Sequence, residues 1–427
     1  MQEKTLENLG SFIRFKRIKK DFTQEGLAHG ICSVTYLSKI ENEKIIPNQE
    51  IIKLLLKRLG IEINDSLKIH DMINRVNSLI DEGIQLLEEK KFKEVEAIFK
   101  EIQKDKEMIL NTPNIIYDYY IFKLRYLVVI DDLDQAKVVI EQLNGIKDLL
   151  KPELYCSFLH YAGMYKCKKD KYKEGLQLLQ EAEIVMNQIG KPIPSLLYHM
   201  ALTFSHLQNS VLAIYYTNES LKVYSNQMNY QRIIDCKMII GINYIRVKRW
   251  EEAEKEFNNI MKVASAINNK VVMATVYHNL GYLYSKKGNH DAAMRNFQLS
   301  LDLKGTKDSS YFTTILYLVT YLYAIKRLEE CQAILEKVLK EKNLKSYAML
   351  EVQLRSIWFE VVFEIGKKEI SDVISFFEDV ALPYFLGINN QKHLGTCYYK
   401  LGKYYSKNRK YKLASEYFEK SCILKES

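Results

Sequence analysis

A short stretch near the start of the chain carries polar side chains of the types that contact nucleic acid. The segment SVTYLSKI presents small hydroxyl groups, a tyrosine and a lysine on the side away from its apolar residues. Side chains of this size reach base edges when a helix lies in the major groove of DNA. The residues expected to read bases are Ser33, Thr35, Tyr36 and Lys39. Those expected to contact phosphate or to support the contact are Arg14, Arg17, Thr23 and Gln24.

A second set of polar and aromatic residues is spread through the rest of the chain and has the chemistry of a peptide-binding groove. Asparagine can pair with a peptide backbone through its donor and its acceptor, and arginine can hold a carboxylate. A single tyrosine or histidine is more often a packing residue, so the prediction rests on the set lying on one side of the fold. The candidates are Arg125, His160, Tyr161, Tyr198, His199, Arg246, His278, Asn279, Tyr282, Tyr317 and Tyr321.

The chain lacks the sequence signatures of common enzyme classes. It has no Gly-rich phosphate loop and no HExxH or GxSxG motif, and its eight histidines are dispersed. The seven cysteines are also scattered and form no CxxC pair, which indicates reduced thiols and a cytoplasmic protein. We therefore expect no enzymatic activity, no cofactor and no metal site.

Composition and charge indicate a helical protein with a basic N-terminal part. Of the 427 residues, 6 are proline and 17 are glycine. No apolar run reaches the roughly 18 residues that a membrane span needs. The net charge is +9, and residues 1–60 hold +4 of it, from 11 Lys and Arg against 7 Asp and Glu. This denser positive charge favours a polyanionic partner at the N-terminus.

The first 65 residues are predicted to form a small helical bundle. Thr23 and Ser33 stand where N-caps begin two short helices, and the turn between the helices is HGIC. Val34, Leu37 and Ile40 recur on one face of the second of these helices. Two short helices joined by a tight turn make a helix-turn-helix. A further apolar helix, NQEIIKLLLKRLG, closes the bundle.

The remainder of the chain contains an internal repeat. A small residue, a second small residue twelve positions later and a large apolar residue four beyond that recur, as at Gly281, Ala293 and Phe297. The repeat predicts antiparallel helix pairs, in which small residues allow close approach and the large residue fills the space between neighbours. The first position recurs nine times at spacings of 38 to 41 residues, at Gly83, Leu124, Gly163, Ala201, Gly241, Gly281, Thr320, Val361 and Gly402.

The repeat pattern resembles the tetratricopeptide repeat, although its period is nearer 40 than the usual length of about 34. Armadillo and HEAT repeats have about this period, but the small and aromatic signature favours the tetratricopeptide type. The predicted fold is thus all-α, a helix-turn-helix bundle followed by a right-handed α-solenoid of about nine repeats. The concave groove of such a solenoid suits an extended peptide or a helix.

The N-terminal residues also resemble a known family of DNA-binding bundles, the phage-repressor type (Cro/C1, or XRE). Glu43 stands where that family often has glycine, which implies a left-handed backbone at this residue but no change of fold. The residues that carry the resemblance are Leu9, Gly10, Ile13, Arg14, Arg17, Thr23, Gln24, Leu27, Ala28, Ser33, Tyr36, Leu37, Ile40, Glu41, Pro47 and Leu59.

A helix-turn-helix domain at residues 1–65 followed by a repeat domain at residues 66–427 resembles the RNPP family of cytoplasmic peptide-pheromone receptors in Gram-positive bacteria. Nine repeats resemble its neutral protease regulator (NprR) branch most. The resemblance implies a quorum-sensing transcription regulator that binds double-stranded operator DNA. It also implies a homodimer or tetramer whose repeat groove takes a short imported signalling peptide and which is switched by it.

The resemblance leaves a second function class open. Rap proteins share the repeats and inhibit or dephosphorylate a response regulator of the sporulation phosphorelay, and NprR-type proteins are implied to act on such a partner without peptide. In this alternative the chain is a protein-interaction module, and residues 66–110 are the place where the response regulator would bind. No catalytic residue is assigned.

Overall fold

The computed structural model describes residues 9–45, 47–61, 66–113, 115–388 and 390–426, and every regular element in these ranges is helical. The all-α prediction is therefore confirmed for this part of the chain. The chain divides into two compact units, Met1–Asn243 and Tyr244–Ser427, and the division falls within one helix. The predicted domain boundary after residue 65 coincides with residues 62–65, which lie outside the described ranges.

The N-terminal bundle has the helix-turn-helix that the sequence predicts. The Thr23 hydroxyl accepts a hydrogen bond from the Gly26 amide at 3.0 Å, and the Ser33 hydroxyl accepts one from the Tyr36 amide at 3.1 Å. Each cap supplies a partner to an amide that the first helical turn leaves without one. The helices are α1 (Leu9–Lys19), α2 (Gln24–Ala28), α3 (Val34–Glu41) and α4 (Gln49–Arg58).

The inner face of α3 is shorter than the sequence predicts. Leu37 and Ile40 are buried as expected, but Val34 is 42% exposed, so the prediction that it faces the core is wrong. Val34 is the first residue of α3. Its side chain points back toward the helix N-terminus, away from the core that covers Leu37 one turn later.

The end of α3 approaches α1 closely. A Cβ atom at Gly10 would lie 1.9 Å from the carbonyl oxygen of Ile40, so only glycine fits there. Glu43 has a φ of 55°, which confirms the left-handed residue expected at this turn. Its carboxylate accepts a hydrogen bond from the Ser11 hydroxyl at 3.0 Å, which ties the turn back to α1.

Nine successive helix pairs follow α4 in the described residues, each in the frame of the predicted repeat. A short helix, α7 (Lys106–Leu110), separates the first pair from the second, and a π-helical turn at Phe377–Ala381 interrupts the eighth. The pairs are α5 (Ser66–Glu88) with α6 (Phe92–Gln103), α8 (Ile116–Val129) with α9 (Leu133–Asn144), α10 (Pro152–Lys168) with α11 (Tyr172–Ile189), α12 (Pro194–His206) with α13 (Ser210–Asn226), α14 (Tyr230–Arg246) with α15 (Trp250–Ala266), α16 (Lys270–Lys287) with α17 (His290–Leu303), α18 (Ser309–Ala324) with α19 (Leu328–Val338), α20 (Ala348–Glu364) with α21 (Ile370–Phe376) and α22 (Leu382–Gly387), and α23 (Gln391–Lys407) with α24 (Tyr411–Glu426).

The small and aromatic positions of the repeat meet inside the pairs. A Cβ atom at Gly281 would lie 2.7 Å from the ring of Phe297, and one at Gly402 would lie 2.7 Å from the ring of Phe418. Ala293, the second small position, is fully buried beside Phe297. The repeat signature therefore marks the places where two helices are too close for a larger side chain.

Helix α1 of the N-terminal bundle is docked on α8 within the first unit. The ring of Phe15 packs edge-on against Tyr120, with centroids 5.2 Å apart, and also contacts Tyr117. The Lys19 ammonium donates a hydrogen bond to the Tyr120 hydroxyl at 2.9 Å, and the Lys16 ammonium donates one to the Asn111 side-chain oxygen at 2.8 Å. One apolar core thus runs from α1 into the repeats.

Candidate functional site

The exposed side of α3 carries the residues predicted to read DNA bases. Ser33, Thr35 and Lys39 are exposed, and Tyr36 is half-buried. The hydroxyl of Ser33 is engaged in capping α3, so this residue fixes the start of the helix as well as lying on its exposed end. Thr35, Tyr36 and Lys39 lie on α3 and Ser33 caps it, and the opposite side of this helix, at Leu37, is fully buried.

A buried ion pair holds the back of α3. The Arg17 guanidinium donates to both carboxylate oxygens of Glu41, at 2.6 and 2.9 Å, and to the carbonyl of Phe22 at 2.9 Å. The Gln24 amide donates to the same carboxylate at 2.8 Å. Glu41 is fully buried, so these bonds fix α3 against α1 and α2. Arg17 and Gln24 lie where they can support α3, and a direct phosphate contact by either stays a prediction.

The other two residues of the predicted DNA set lie nearer the surface. Arg14 is half-buried on α1, and Thr23 is exposed at the start of α2, where its hydroxyl is used in the cap. Glu41 was among the residues that carry the family resemblance, but no role at this site was predicted for it. Its place in the helix-turn-helix pattern, directly after Ile40, was the available signal.

The five predicted peptide-binding residues of the first unit lie in one cluster. The Arg125 guanidinium is hydrogen-bonded to the Glu88 carboxylate and lies over the Tyr161 ring, 5.3 Å from its centroid. The His160 ring stacks on Tyr161 at 4.4 Å, and its Nε2 is hydrogen-bonded to Nδ1 of His199 at 2.8 Å. His160 and Tyr161 are buried, so they present no open surface for a peptide in this conformation.

Glu88 connects this cluster to α14. Arg232 donates to the Glu88 backbone carbonyl at 2.9 Å, and its guanidinium lies 3.2 Å from the Glu88 carboxylate. Tyr224 donates to the same carboxylate at 2.9 Å. Two residues beyond Glu88, the Lys90 ammonium donates to the Asp235 carboxylate at 2.8 Å. These contacts join the first repeat to the fifth, and we call Glu88, Lys90, Arg232 and Asp235 the latch.

The latch also covers Tyr198, the fifth of the predicted residues, because the Arg232 guanidinium lies 5.5 Å from the centroid of its ring. The sequence patterns did not predict the roles of Glu88 and Arg232. The two residues are on different repeats and 144 positions apart, and no local pattern relates them.

Burial keeps the two histidines of the cluster neutral. Desolvation, and then the positive charge of Arg125, lowers the pKa of His160 to about 3. Burial, followed by His160 and Arg232, lowers the pKa of His199 well below its ordinary value. One neutral imidazole therefore donates to the other at neutral pH.

In the second unit, three predicted residues contact one another around Tyr317. His278 meets the Tyr317 ring edge-on at 5.0 Å, and Tyr282 does so at 5.3 Å. Nδ1 of His278 is hydrogen-bonded to the Thr314 hydroxyl at 3.0 Å. Burial, and then Lys304, lowers the pKa of His278 to about 4. Tyr317 is 40% exposed, so this cluster keeps an open aromatic surface.

The other three predicted residues of the second unit are placed differently. The Tyr321 hydroxyl is hydrogen-bonded to His290, Asn279 is buried, and Arg246 is exposed. Tyr282, Tyr317 and Tyr321 also line a cavity of about 570 Å³ within this unit. A peptide-binding role for any of the eleven residues stays a prediction.

Metal-ion sites and membrane spans are both absent from the residues that the structure describes. The described part of the chain contains no group of three or more His, Cys, Asp or Glu residues arranged to hold a metal ion. In the described ranges, none of the helices has the length and apolar character of a membrane span.

Profiles of two kinds match the chain, a helix-turn-helix at residues 13–65 and tetratricopeptide repeats at residues 236–305 and 395–426. Among curated proteins, the chain is similar to the transcriptional activator NprA of Geobacillus stearothermophilus. The two are 27% identical over 404 residues, which covers 92% of this chain and 98% of the relative.

Two solved structures share the fold. The apo form of the quorum sensor NprR from B. thuringiensis aligns with a TM-score of 0.64 at 23% identity, covering 82% of this chain and 99% of that chain. NprR in complex with its cognate peptide NprX aligns with a TM-score of 0.61 at 22% identity, covering 83% and 98%. A helix-turn-helix ahead of tetratricopeptide pairs, together with a curated relative matched over nearly the whole of both chains, makes this chain similar to NprA throughout its length and gives it the fold of NprR.

Proposed function

We propose that the chain is a cytoplasmic transcription regulator whose DNA binding is controlled by a short peptide bound to its repeats. The observation that carries the DNA-binding part is α3, which exposes Thr35 and Lys39 while the ion pair of Arg17 with Glu41 fixes it from behind. The relative NprA is named a transcriptional activator, and NprR is named a quorum sensor with a cognate peptide. Those names support the same pair of functions here.

Control by peptide is supported by the position of α8. This helix holds Tyr120, on which α1 is docked, and, five residues later, Arg125, which the latch engages through Glu88. A helix is stiff over the roughly 8 Å along its axis that separate these two residues. A peptide carboxylate that replaced Glu88 at Arg125 would shift α8, and with it the helix that positions the DNA-reading bundle. A peptide can act only through different affinities for the two arrangements.

The DNA-binding part is tested by selection from a pool of randomised DNA duplexes with the full chain, followed by sequencing and fluorescence anisotropy. We expect one enriched motif and a loss of about tenfold or more in affinity for Lys39→Ala, because a base or phosphate contact is removed. Lys53→Ala, an exposed lysine on α4, is the matched control. If no motif is enriched, or if both variants bind alike, the DNA-reading role of α3 is wrong. Failure to enrich any DNA motif would favour the alternative of a Rap-like interaction module.

A further inference from the structure

The contact between the DNA-reading bundle and the first repeats contains a buried ammonium group without a counter-ion. Lys16 of α1 is 6% exposed. Its ammonium donates to the neutral side chain of Asn111 at 2.8 Å and lies 5.6 Å from the centroid of the Phe12 ring. In the described part of the chain, no carboxylate forms an ion pair with it. Because buried charges are ordinarily paired, this site favours an anion that the chain itself does not supply.

Three further lysines stand around Lys16. Lys19 is one turn further along α1, and its ammonium donates to the Tyr120 hydroxyl of α8 at 2.9 Å. Lys123 is three residues beyond Tyr120 on α8, so its side chain starts beside that contact. Lys106 begins α7, and its charge acts on Lys123. We call Lys16, Lys19, Lys106 and Lys123 the junction lysines.

The junction lysines repel one another. Burial, and then the positive charge of Lys19, lowers the pKa of Lys16 to about 8. Burial, followed by Lys106 and then Lys19, lowers the pKa of Lys123 as well. The charge of Asp132 opposes the shift at Lys123 most weakly of these causes, and its carboxylate already caps α9. A multiply charged anion would therefore stabilise the group.

The junction lysines lie away from both α3 and the latch. Gly10 and Arg17 are the residues of α1 that approach α3. With about 3.6 residues per turn, Lys19 lies on the other side of α1. By the same geometry, Lys123 lies on the side of α8 opposite to Arg125, which faces the latch. A duplex on α3 has α1 between it and the lysines, so a small anion fits this site better than the DNA backbone does.

We propose that the junction lysines bind the phosphate groups of a small molecule, an inorganic or nucleotide polyphosphate, and that this anion strengthens the docking of α1 on α8. Phosphate oxygens accept hydrogen bonds from several ammonium groups at once, and adjacent phosphates carry the multiple charge that the group lacks. The anion bridges Lys19 of the bundle to Lys106 and Lys123 of the repeats, with Lys16 behind it.

Calorimetric titration of the full chain with inorganic pyrophosphate, at physiological salt, tests the site. Lys19→Gln and Lys123→Gln should each weaken binding about tenfold, because each removes a charge-assisted contact. Lys93→Gln, at an exposed position of α6, is the matched control and should bind as the wild type does. A parallel titration with ATP distinguishes the sources of phosphate, since tighter binding of ATP supports a nucleotide and equal binding supports an inorganic polyphosphate.

Thermal unfolding separates lost binding from lost folding. Without anion, Lys123→Gln should unfold at or above the wild-type temperature, because it removes the repulsion from Lys106 and Lys19. Pyrophosphate should raise the unfolding temperature of the wild type and of Lys93→Gln but not of Lys123→Gln. A wild type that does not bind pyrophosphate, or junction variants that bind it as the control does, would overturn the inference. Displacement of pyrophosphate by the selected DNA duplex would also overturn it, because the lysines would then contact the DNA backbone.

Discussion

Two carboxylates, Glu41 and Glu88, organise the polar interior of the first unit. Glu41 is fully buried and receives three hydrogen bonds from Arg17 and Gln24. Glu88 is contacted by Arg125 and by two further side chains that come from the fourth and fifth helix pairs. Glu41 is fully buried and Glu88 is half-buried, and a carboxylate with this many donors is well stabilised. Removing it leaves its donors without a partner, which destabilises the fold.

The Glu41→Gln substitution should loosen α3. It leaves the Arg17 guanidinium without a counter-charge at a site where Glu41 is fully buried, which costs about 3 kcal/mol or more. We expect faster amide hydrogen exchange across Val34–Glu41 and weaker binding of the selected DNA duplex. Glu50→Gln, an exposed residue of α4, serves as control. Unchanged exchange in α3 would show that the ion pair does not hold the helix.

The buried histidine pair predicts a loss of stability in acid. Because burial lowers the folded-state pKa of His160 to about 3, protonation favours the unfolded chain, where the pKa is about 6.5. The stability that this residue contributes is complete above pH 6.5 and decreases as the pH falls from there toward 3. Between pH 6.5 and 5 the loss is about 2 kcal/mol.

Urea unfolding at pH 7.5 and 5 tests this pH dependence. His160→Gln should reduce the loss of unfolding free energy by about 2 kcal/mol, whereas His29→Gln, at an exposed position, should not change it. If the unfolding free energies of the wild type and of His160→Gln depend equally on pH, the low folded-state pKa assigned to His160 is wrong.

At the level of elements, the nine helix pairs share one turn geometry. In the described turns, one residue between the two helices of each pair has a positive φ. Glycine occupies that place only in the sixth and eighth pairs, so the other turns hold a side chain in a conformation that costs about 1 kcal/mol. The residues are Lys90, Asp131, Asp170, Gln208, Lys248, Gly288, Lys326, Gly366 and Arg409.

Replacing a residue that bears a side chain with glycine at such a turn should stabilise the helix pair. Arg409→Gly relieves a φ of 59° and should raise the free energy of unfolding by up to about 1 kcal/mol, less the entropy that glycine adds to the unfolded chain. Gly288→Ala, at a φ of 76°, should lower it by about 1 kcal/mol. Thermal unfolding of both variants tests whether the first substitution raises the free energy of unfolding and the second lowers it. A destabilised Arg409→Gly or a stabilised Gly288→Ala would contradict the strain argument.

The helix pairs were predictable from the sequence because their determinants are local. Gly281 and Phe297 are 16 residues apart and contact each other inside one pair, so the repeat displays the contact directly. The latch was not predictable, because Glu88 and Arg232 approach each other only after several pairs have stacked. The docking of Phe15 on Tyr120 was missed for the same reason.

At the scale of the whole molecule, peptide control requires the DNA-reading bundle and the repeats of the first unit to move together. Their interface combines the rings of Phe15 and Tyr120 with the hydrogen bond from Lys19 to the Tyr120 hydroxyl. Tyr120 is 3% exposed, so this contact is inside the unit rather than at its surface. A rigid interface of this kind transmits a shift of α8 to α1, and coupling between two sites is reciprocal.

Tyr120→Leu should weaken this coupling while preserving both binding reactions. Leucine keeps much of the buried apolar surface but loses the ring contact and the hydrogen bond to Lys19. We expect the variant to bind DNA and peptide separately and to show a smaller effect of peptide on DNA affinity. Val138→Leu, at an exposed position of α9, is the control. A variant that retains the full effect of peptide would exclude this interface as the connection.

The most direct test of peptide control is the affinity of the full chain for its selected duplex, measured by anisotropy with and without a saturating peptide that the full chain has retained from a pool of random heptapeptides. We expect peptide to change the dissociation constant by about tenfold, within the usual range of coupling between two sites. The direction of the change identifies which arrangement binds DNA. Equal dissociation constants with and without bound peptide would contradict the claim that the repeats control the DNA-reading helix.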